Sequence, residues 1–254
     1  MIRRLCASLL FALVVVGFAP GVRGYVPSAQ HGAFELKFGP YKPAIDRSPG
    51  VGSPYASTFG DKSMFLTQIE LQWQFWHPPG FSLGVGGGVG FMQAYAKSRT
   101  QSGGESADYT VLNVMPFTGM LVLRIDALAD YLGVPFVPYG KAGLGWYYWW
   151  GLNGGSLERA TVCENPSDSS TCATQKAKGG TLGWQAGPGL MLRLDQFDER
   201  TARTFDNELG VNHSYIFVEL VWAYVTGLGR EGYLDLSTDN FAQATFLVGL
   251  ALEF

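Results

Sequence analysis

The chain has 254 residues, with 18 Lys and Arg against 21 Asp and Glu for a net charge of −3, and only three cysteines. So weak an acidic balance gives no reason to expect nucleic acid as a partner, and the cysteines have no further ligands beside them for a metal site. Aromatic residues reach 14% and mean hydropathy is +0.08, yet after residue 24 no apolar run approaches the roughly 20 residues of a transmembrane helix.

The first 24 residues, MIRRLCASLLFALVVVGFAPGVRG, place Arg3 and Arg4 before an apolar stretch and small residues after it. This is the layout of a secretory signal peptide, and the apolar stretch is too short for a membrane span. Cys6 stands at the head of the stretch, unlike a lipoprotein cysteine, and leaves with it. Residues 25–254 are then a single exported domain with 15 basic and 21 acidic side chains, a charge of −6.

Alternation and turn signals predict eight strands, near 32–41, 64–76, 81–95, 110–125, 135–150, 181–194, 214–225 and 242–254. Most span ten residues or more, whereas a globular strand has about five or six and a tilted membrane strand roughly 9 to 11. The second strand, FLTQIELQWQFW, puts Phe65, Thr67, Ile69, Leu71, Trp73 and Phe75 on one face and Gln68, Glu70, Gln72 and Gln74 on the other. In a soluble sandwich the apolar face would meet the core; in a membrane barrel it would meet lipid. Length favours the second.

The connections also alternate. Segments 42–63, 96–109, 151–180 and 226–241 are long and polar; HPPG at 77–80 and 126–134 are short, as periplasmic turns should be. The connection 195–213 is the exception, and its Phe197, Phe205 and Leu209 predict a short amphipathic periplasmic helix. LRIDALADYLGV and the 192–211 segment both begin Leu-Arg-(Ile/Leu)-Asp and end Leu-Gly-Val, a weak internal echo. Tyr95, Trp146, Tyr148, Trp150, Trp222 and Tyr224 fall toward the outer strand ends, and Trp73, Phe75, Phe81, Phe136 and Phe254 toward the periplasmic ends, as two aromatic belts. Cys163 and Cys172 bracket the polar loop CENPSDSSTC and are expected to pair in an oxidising compartment.

Three chemical candidates arise. GVGGGVG at 84–90 lacks the strand-to-helix setting and glycine spacing of a nucleotide loop; Gly84, Gly86, Gly88 and Gly90 instead face the lumen and leave room for bulky neighbours. A barrel hydrolase would need an imidazole beside a nucleophile near the outer rim, but His31, His77 and His213 all fall at periplasmic ends. An open channel belongs to barrels of about 16 strands, not eight. No catalytic, metal or cofactor residues are therefore assigned. Inward alternation does collect Glu35, Lys37, Glu70, Arg124, Lys141, Arg193, Glu219 and Glu253, four acids and four bases, as a luminal charge network that would plug the barrel.

The chain ends TFLVGLALEF, with Phe246, Val248, Leu250, Leu252 and the terminal Phe254 on one face. This resembles the closing strand of bacterial outer-membrane proteins, and the resemblance implies that these residues are read by the barrel-assembly machinery. The whole resembles small eight-stranded barrels of the OmpA/OmpX type. More narrowly, FELKFGPYKPAID at 34–46 and LRIDALADYLGVPFVPYGKAGLGWYYWW at 123–150 resemble an uncharacterised myxobacterial-type family of outer-membrane barrels, which brings no established activity or catalytic residues. The expectation is an all-β, eight-stranded, antiparallel, up-and-down transmembrane barrel with a short periplasmic helix. It is non-enzymatic and monomeric, embedded in outer-membrane lipid, with a structural or surface-interaction role through loops whose partner the sequence does not name. The alternative is a small barrel that binds or passes a hydrophobic or small-molecule ligand.

Overall fold

A computed structural model describes residues 30–47, 52–99, 105–163, 172–230, 232–238 and 244–254. The signal-peptide segment, residues 1–24, lies outside them. Eleven strands are present among the described residues: β1 (Gly32–Tyr41), β2 (Met64–Trp76), β3 (Phe81–Arg99), β4 (Glu105–Ile125), β5 (Phe136–Asn153), β6 (Ser156–Leu157), β7 (Arg159–Cys163), β8 (Cys172–Lys176), β9 (Lys178–Arg193), β10 (His213–Tyr224) and β11 (Thr245–Glu253). Eight of them pair antiparallel in the order β4-β3-β2-β1-β11-β10-β9-β5, and β5 pairs back onto β4, so the sheet closes into an up-and-down barrel. The seam joins first and last strands with Phe34 opposite Leu252, and Phe254 extends it by exchanging backbone hydrogen bonds with Gly32. Closure leaves no barrel edge open.

The faces of β2 decide what kind of barrel this is. Phe65, Ile69, Leu71, Trp73 and Phe75 are 43–64% exposed, while Gln68, Glu70, Gln72 and Gln74 are at most 6% exposed. The apolar face looks out and the amide face looks in, the inverse of a soluble barrel. The same parity runs through β11, where Phe246, Val248, Leu250, Leu252 and Phe254 point outward. Aromatic contacts line the outer surface toward one end, with Phe117 on Trp146 at 5.6 Å and Tyr148 on Trp150 at 5.4 Å between ring centroids. No described helix is long and apolar enough to cross a membrane.

Strand length divides the barrel into two halves. β3, β4, β5 and β9 are neighbours with 19, 21, 18 and 16 residues, and β2, β1, β11 and β10 are neighbours with 13, 10, 9 and 12. At about 3.3 Å per residue the first group stands well above the second at the loop end. This corrects the shorter sequence expectations for β3, β4 and β5: their polar outer ends carry no alternation to mark them, yet they continue the ladder.

The connections above the short half fold inward over the mouth. A single 3-10 turn (Ile45–Arg47) leads to α1 (Pro54–Phe59), and the Asp46 carboxylate accepts from the Tyr55 and Ala56 backbone amides at 2.7 and 2.9 Å. Burial first, then the Asp46 charge, pushes the Tyr55 phenol up to about 12. The last loop meets the first through Ala44 N to Ser237 O at 3.0 Å, a Pro43–Thr238 bridge, and Tyr41 Oη donating to Leu236 O. Together they set Ile45, Tyr55 and Leu236 onto Met64, Leu66, Met92, Val114 and Tyr147, one apolar cluster inside the loop end. A second, smaller cluster at the turn end holds Val137, Tyr139, Met191, Tyr215 and Phe217.

At the turn end, α2 (Ala127–Leu132) and α3 (Glu199–Leu209) occupy the two echoing segments. Each ends on a left-handed glycine, Gly133 at φ 66° and Gly210 at φ 68°, where a side chain would be strained. Asp198 caps α3 by accepting from Arg200 N and Thr201 N at 3.1 and 3.2 Å.

Candidate functional site: the charged interior

The strand register sets two like charges side by side. Glu35 on β1 lies opposite Glu70 on β2, an arrangement that repels unless cations intervene. Lys141 reaches across from β5 and supplies one, at 2.5 Å from Glu35 Oε2, 2.9 Å from Glu70 Oε1 and 3.5 Å from Glu219 Oε2. Lys37 supplies the other, 2.6 Å from Glu70 Oε2, 3.4 Å from Glu219 and 3.7 Å from Glu35. Arg124 joins Glu253 at 3.0 Å to Glu35 at 3.4 Å. All seven side chains are almost fully buried.

Neutral donors and acceptors complete the net. Gln72 Nε2 bridges Glu35 and Glu70 at 2.6 and 2.7 Å, while its carbonyl accepts from Arg124 at 2.7 Å. Tyr139 Oη donates to Glu219 at 2.9 Å, Tyr215 Oη donates to Glu253 at 2.7 Å, and Gln74 Nε2 also reaches Glu253. Such extra bonds are what make buried ion pairs tolerable. Space comes from the glycine run on β3: a Cβ at Gly86 would lie 3.0 Å from both Gln72 Cγ and Glu70 Oε1, and one at Gly88 would lie 2.7 Å from Thr118 Oγ1. The GVGGGVG stretch is thus the floor beneath the β2 ladder of glutamines and glutamate.

Arg193 departs from the expectation. It lies at the end of β9 with its Cζ 5.8 Å from the centroid of the Tyr215 ring, whose hydroxyl donates to Glu253. Its partners are Asp130 at 2.9 Å and Asp126 at 3.7 Å, on α2 and the turn before it. The balanced four-to-four network becomes four carboxylates around three cations, with Arg193 instead docking one echo segment onto the other. Burial, then the neighbouring Glu253 charge, holds Asp126 above the usual carboxylate range. The signal for this pairing was present in Leu-Arg-Ile-Asp and its copy, but no strand rule looks beyond the strand end. Tyr139 and Tyr215 have inward parity and could have been found the same way as the charges.

The histidines gather at the turn end. His31 and His77 rings meet edge to face at 6.2 Å, and His77 Nε2 is 2.8 Å from Gln74 Oε1. His213 Nδ1 is 2.5 Å from Asp195 Oδ2, and Ser214 Oγ donates to Asp195 Oδ1 at 3.1 Å. The serine hydroxyl is therefore engaged with the carboxylate and not with the imidazole, so this Asp-His-Ser group has no base-to-nucleophile contact. Burial opposes ionisation of Asp195, but the His213 contact outweighs it and holds the carboxyl below its ordinary range. Among the described residues no His, Cys, Asp and Glu group has a metal-holding arrangement. Cys163 and Cys172 are Cα partners on β7 and β8; their side chains lie outside those described.

No protein-family model matches the chain, and no curated protein matches it. Among solved structures it is similar to Ail, the attachment invasion locus protein of Yersinia pestis, in complex with the heparin analogue sucrose octasulfate, at 13% identity over 89% of this chain and 97% of that one, TM-score 0.37. It is also similar to a major outer membrane protein from Thermus thermophilus, at 15% identity over 88% of this chain and 99% of that one, TM-score 0.42.

Proposed function

We propose that this protein is a monomeric, non-enzymatic barrel of a bacterial outer membrane, a rigid plug-filled cylinder that presents loops to the outside. The observation that carries the reading is the inversion of faces: large apolar side chains cover the exterior of β2 and β11 while charged and amide side chains such as Glu70, Gln72 and Glu253 turn inward. Only lipid around the barrel makes that distribution favourable. In this setting Phe246, Val248, Leu250, Leu252 and Phe254 serve assembly as well as lipid contact, Cys163 and Cys172 form a disulfide in the third outer loop, and the likeness to myxobacterial-type barrels describes its kin. The interior salt network favours a structural role over transport, since each charge already has protein partners.

The test is solubility and gel mobility. The mature chain should require detergent, and unboiled protein should migrate differently from boiled protein, because a closed ladder resists detergent unfolding. Water-soluble protein with one mobility in both states would remove the membrane reading. Deleting Phe254 should impair cellular insertion more than refolding in detergent; normal insertion would remove the assembly role.

A further inference from the structure

We propose that the loop end carries a binding site for a small neutral saccharide, in the cavity between α1 and the inner wall of β3, β4 and β5. The inference rests on the surface-interaction reading and names the chemistry it would serve. The cavity is about 570 Å³, within the range of roughly 300–1,000 Å³ typical of small-molecule sites. It exists because the tall half of the barrel continues past the short half, and the first loop leans against that wall without filling it.

Its lining has two characters. Phe59, Trp149 and Leu234 are only partly buried where they rest on the apolar cluster, so they offer ring and alkyl surface to the cavity. Against them stand Ser98, Thr110 and Asn153, one residue from each of three adjacent strands. Ser98 Oγ lies 2.9 Å from Thr110 Oγ1 and donates to Asn153 Oδ1 at 2.8 Å. With its carbonyl so engaged, Asn153 has its amide N–H donors left for an occupant. Among the described residues the charged liners are Lys97 and Glu158, one of each sign, which gives no net attraction for a polyanion or polycation.

A pure hydrocarbon would strip water from the hydroxyl and amide edge without replacing it, at a cost. A pyranose ring meets both characters: its C–H face packs on aromatic carbon, and its hydroxyls meet Ser, Thr and Asn. The wall is sheet, and the Asp46 carboxylate holds two amides in the first turn of α1, so both sides of the cavity are ordered before binding.

The test uses full-length mature protein refolded in an amine-oxide detergent, whose headgroup is not a sugar. Maltose, lactose, N-acetylglucosamine and the methyl glycosides of glucose, galactose and mannose are titrated, followed by tryptophan fluorescence and saturation-transfer NMR. At least one should bind saturably. Asn153→Ala should then weaken binding about 5–10-fold, the loss of one hydrogen bond, and Phe59→Leu should weaken it too, with heat-shifted gel mobility unchanged in both. Binding insensitive to Asn153→Ala, binding only of sulfated sugars, or no saturable binding up to about 50 mM by a heat-modifiable, non-conducting barrel overturns the saccharide site and leaves the surface-barrel reading standing. A conducting or water-soluble chain is instead a failure of that reading.

Discussion

The two storeys of the barrel interior solve the same packing problem with opposite chemistry. At the loop end, Met64, Leu66, Met92, Val114 and Leu236 fill the space as an ordinary apolar core. Below them, Glu35, Lys37, Glu70, Arg124, Lys141, Glu219 and Glu253 fill it with ions. The upper storey is closed by loops that bring their own apolar residues, so it can be sealed by hydrophobic burial. The lower one is enclosed by strands that turn charged and amide side chains inward beside the smaller cluster of Val137, Met191 and Phe217. Ion pairs and glycine floors occupy that volume, with each charge held by several neighbours. A barrel can thus be made solid by either route, but only the ionic one is intolerant of losing a single member.

The largest effect should therefore come from the lower storey. Lys141→Met leaves three carboxylates with Lys37 as their shared cation, and breaking a buried pair in this way costs about 3–5 kcal/mol. Adding Glu70→Gln should recover part of that loss, so the double variant is less destabilised than the two singles combined. Denaturant unfolding of the refolded barrel measures both. If Lys141→Met were neutral, the charges would not be a coupled network.

Next is the upper storey. Leu236→Ala removes a fully buried side chain from under a loop that can settle into the gap, for about 2 kcal/mol, the low end of such truncations. A loss as large as that of Lys141→Met would erase the distinction between the storeys. Gly86→Ala then probes the floor. Its Cβ presses on Gln72 and Glu70 and should cost about 1 kcal/mol, while Gly119→Ala, with nothing within 4 Å, should stay within about 0.5 kcal/mol.

The strands, their faces and the inward charges were legible because period-2 alternation depends only on neighbours in sequence. Leu66 and Tyr41 carried the same inward parity as Glu70 and Lys37, yet alternation says nothing about height along the axis. The division into storeys was therefore hidden, and with it the wall at the mouth, which depends on how far β3, β4 and β5 stay paired. Long-range partners were hidden for the same reason: Pro43 meets Thr238 and Arg193 meets Asp130 through contacts that no local pattern encodes. The saccharide cavity belongs to this class, since Ser98, Thr110 and Asn153 converge only after three strands are in register.

Effects of the same size as those at the floor, or smaller, lie outside both storeys. Asp195→Asn removes a carboxylate that accepts from Ser214 N at 2.9 Å and should cost about 1 kcal/mol at neutral pH. Because folding lowers the pKa of Asp195, its contribution is complete above the unfolded value of about 3.9 and disappears as pH falls through the folded one. The gap between variant and parent should stay constant from neutral pH downward and close only in strong acid; closure near neutral pH would contradict the assignment. Replacing Cys163 with Ser should leave barrel stability within about 0.5 kcal/mol, and mass spectrometry of the non-reduced parent should find the two thiols joined.

A solid interior passes no ions, and single-channel recording in planar bilayers reads this out. Purified mature protein, inserted and verified as heat-modifiable, should give no steady conductance, and Lys141→Met should not open one while Met92 and Leu236 still seal the loop end. Large, stable channels from the parent protein would contradict the account and put a transport barrel in its place.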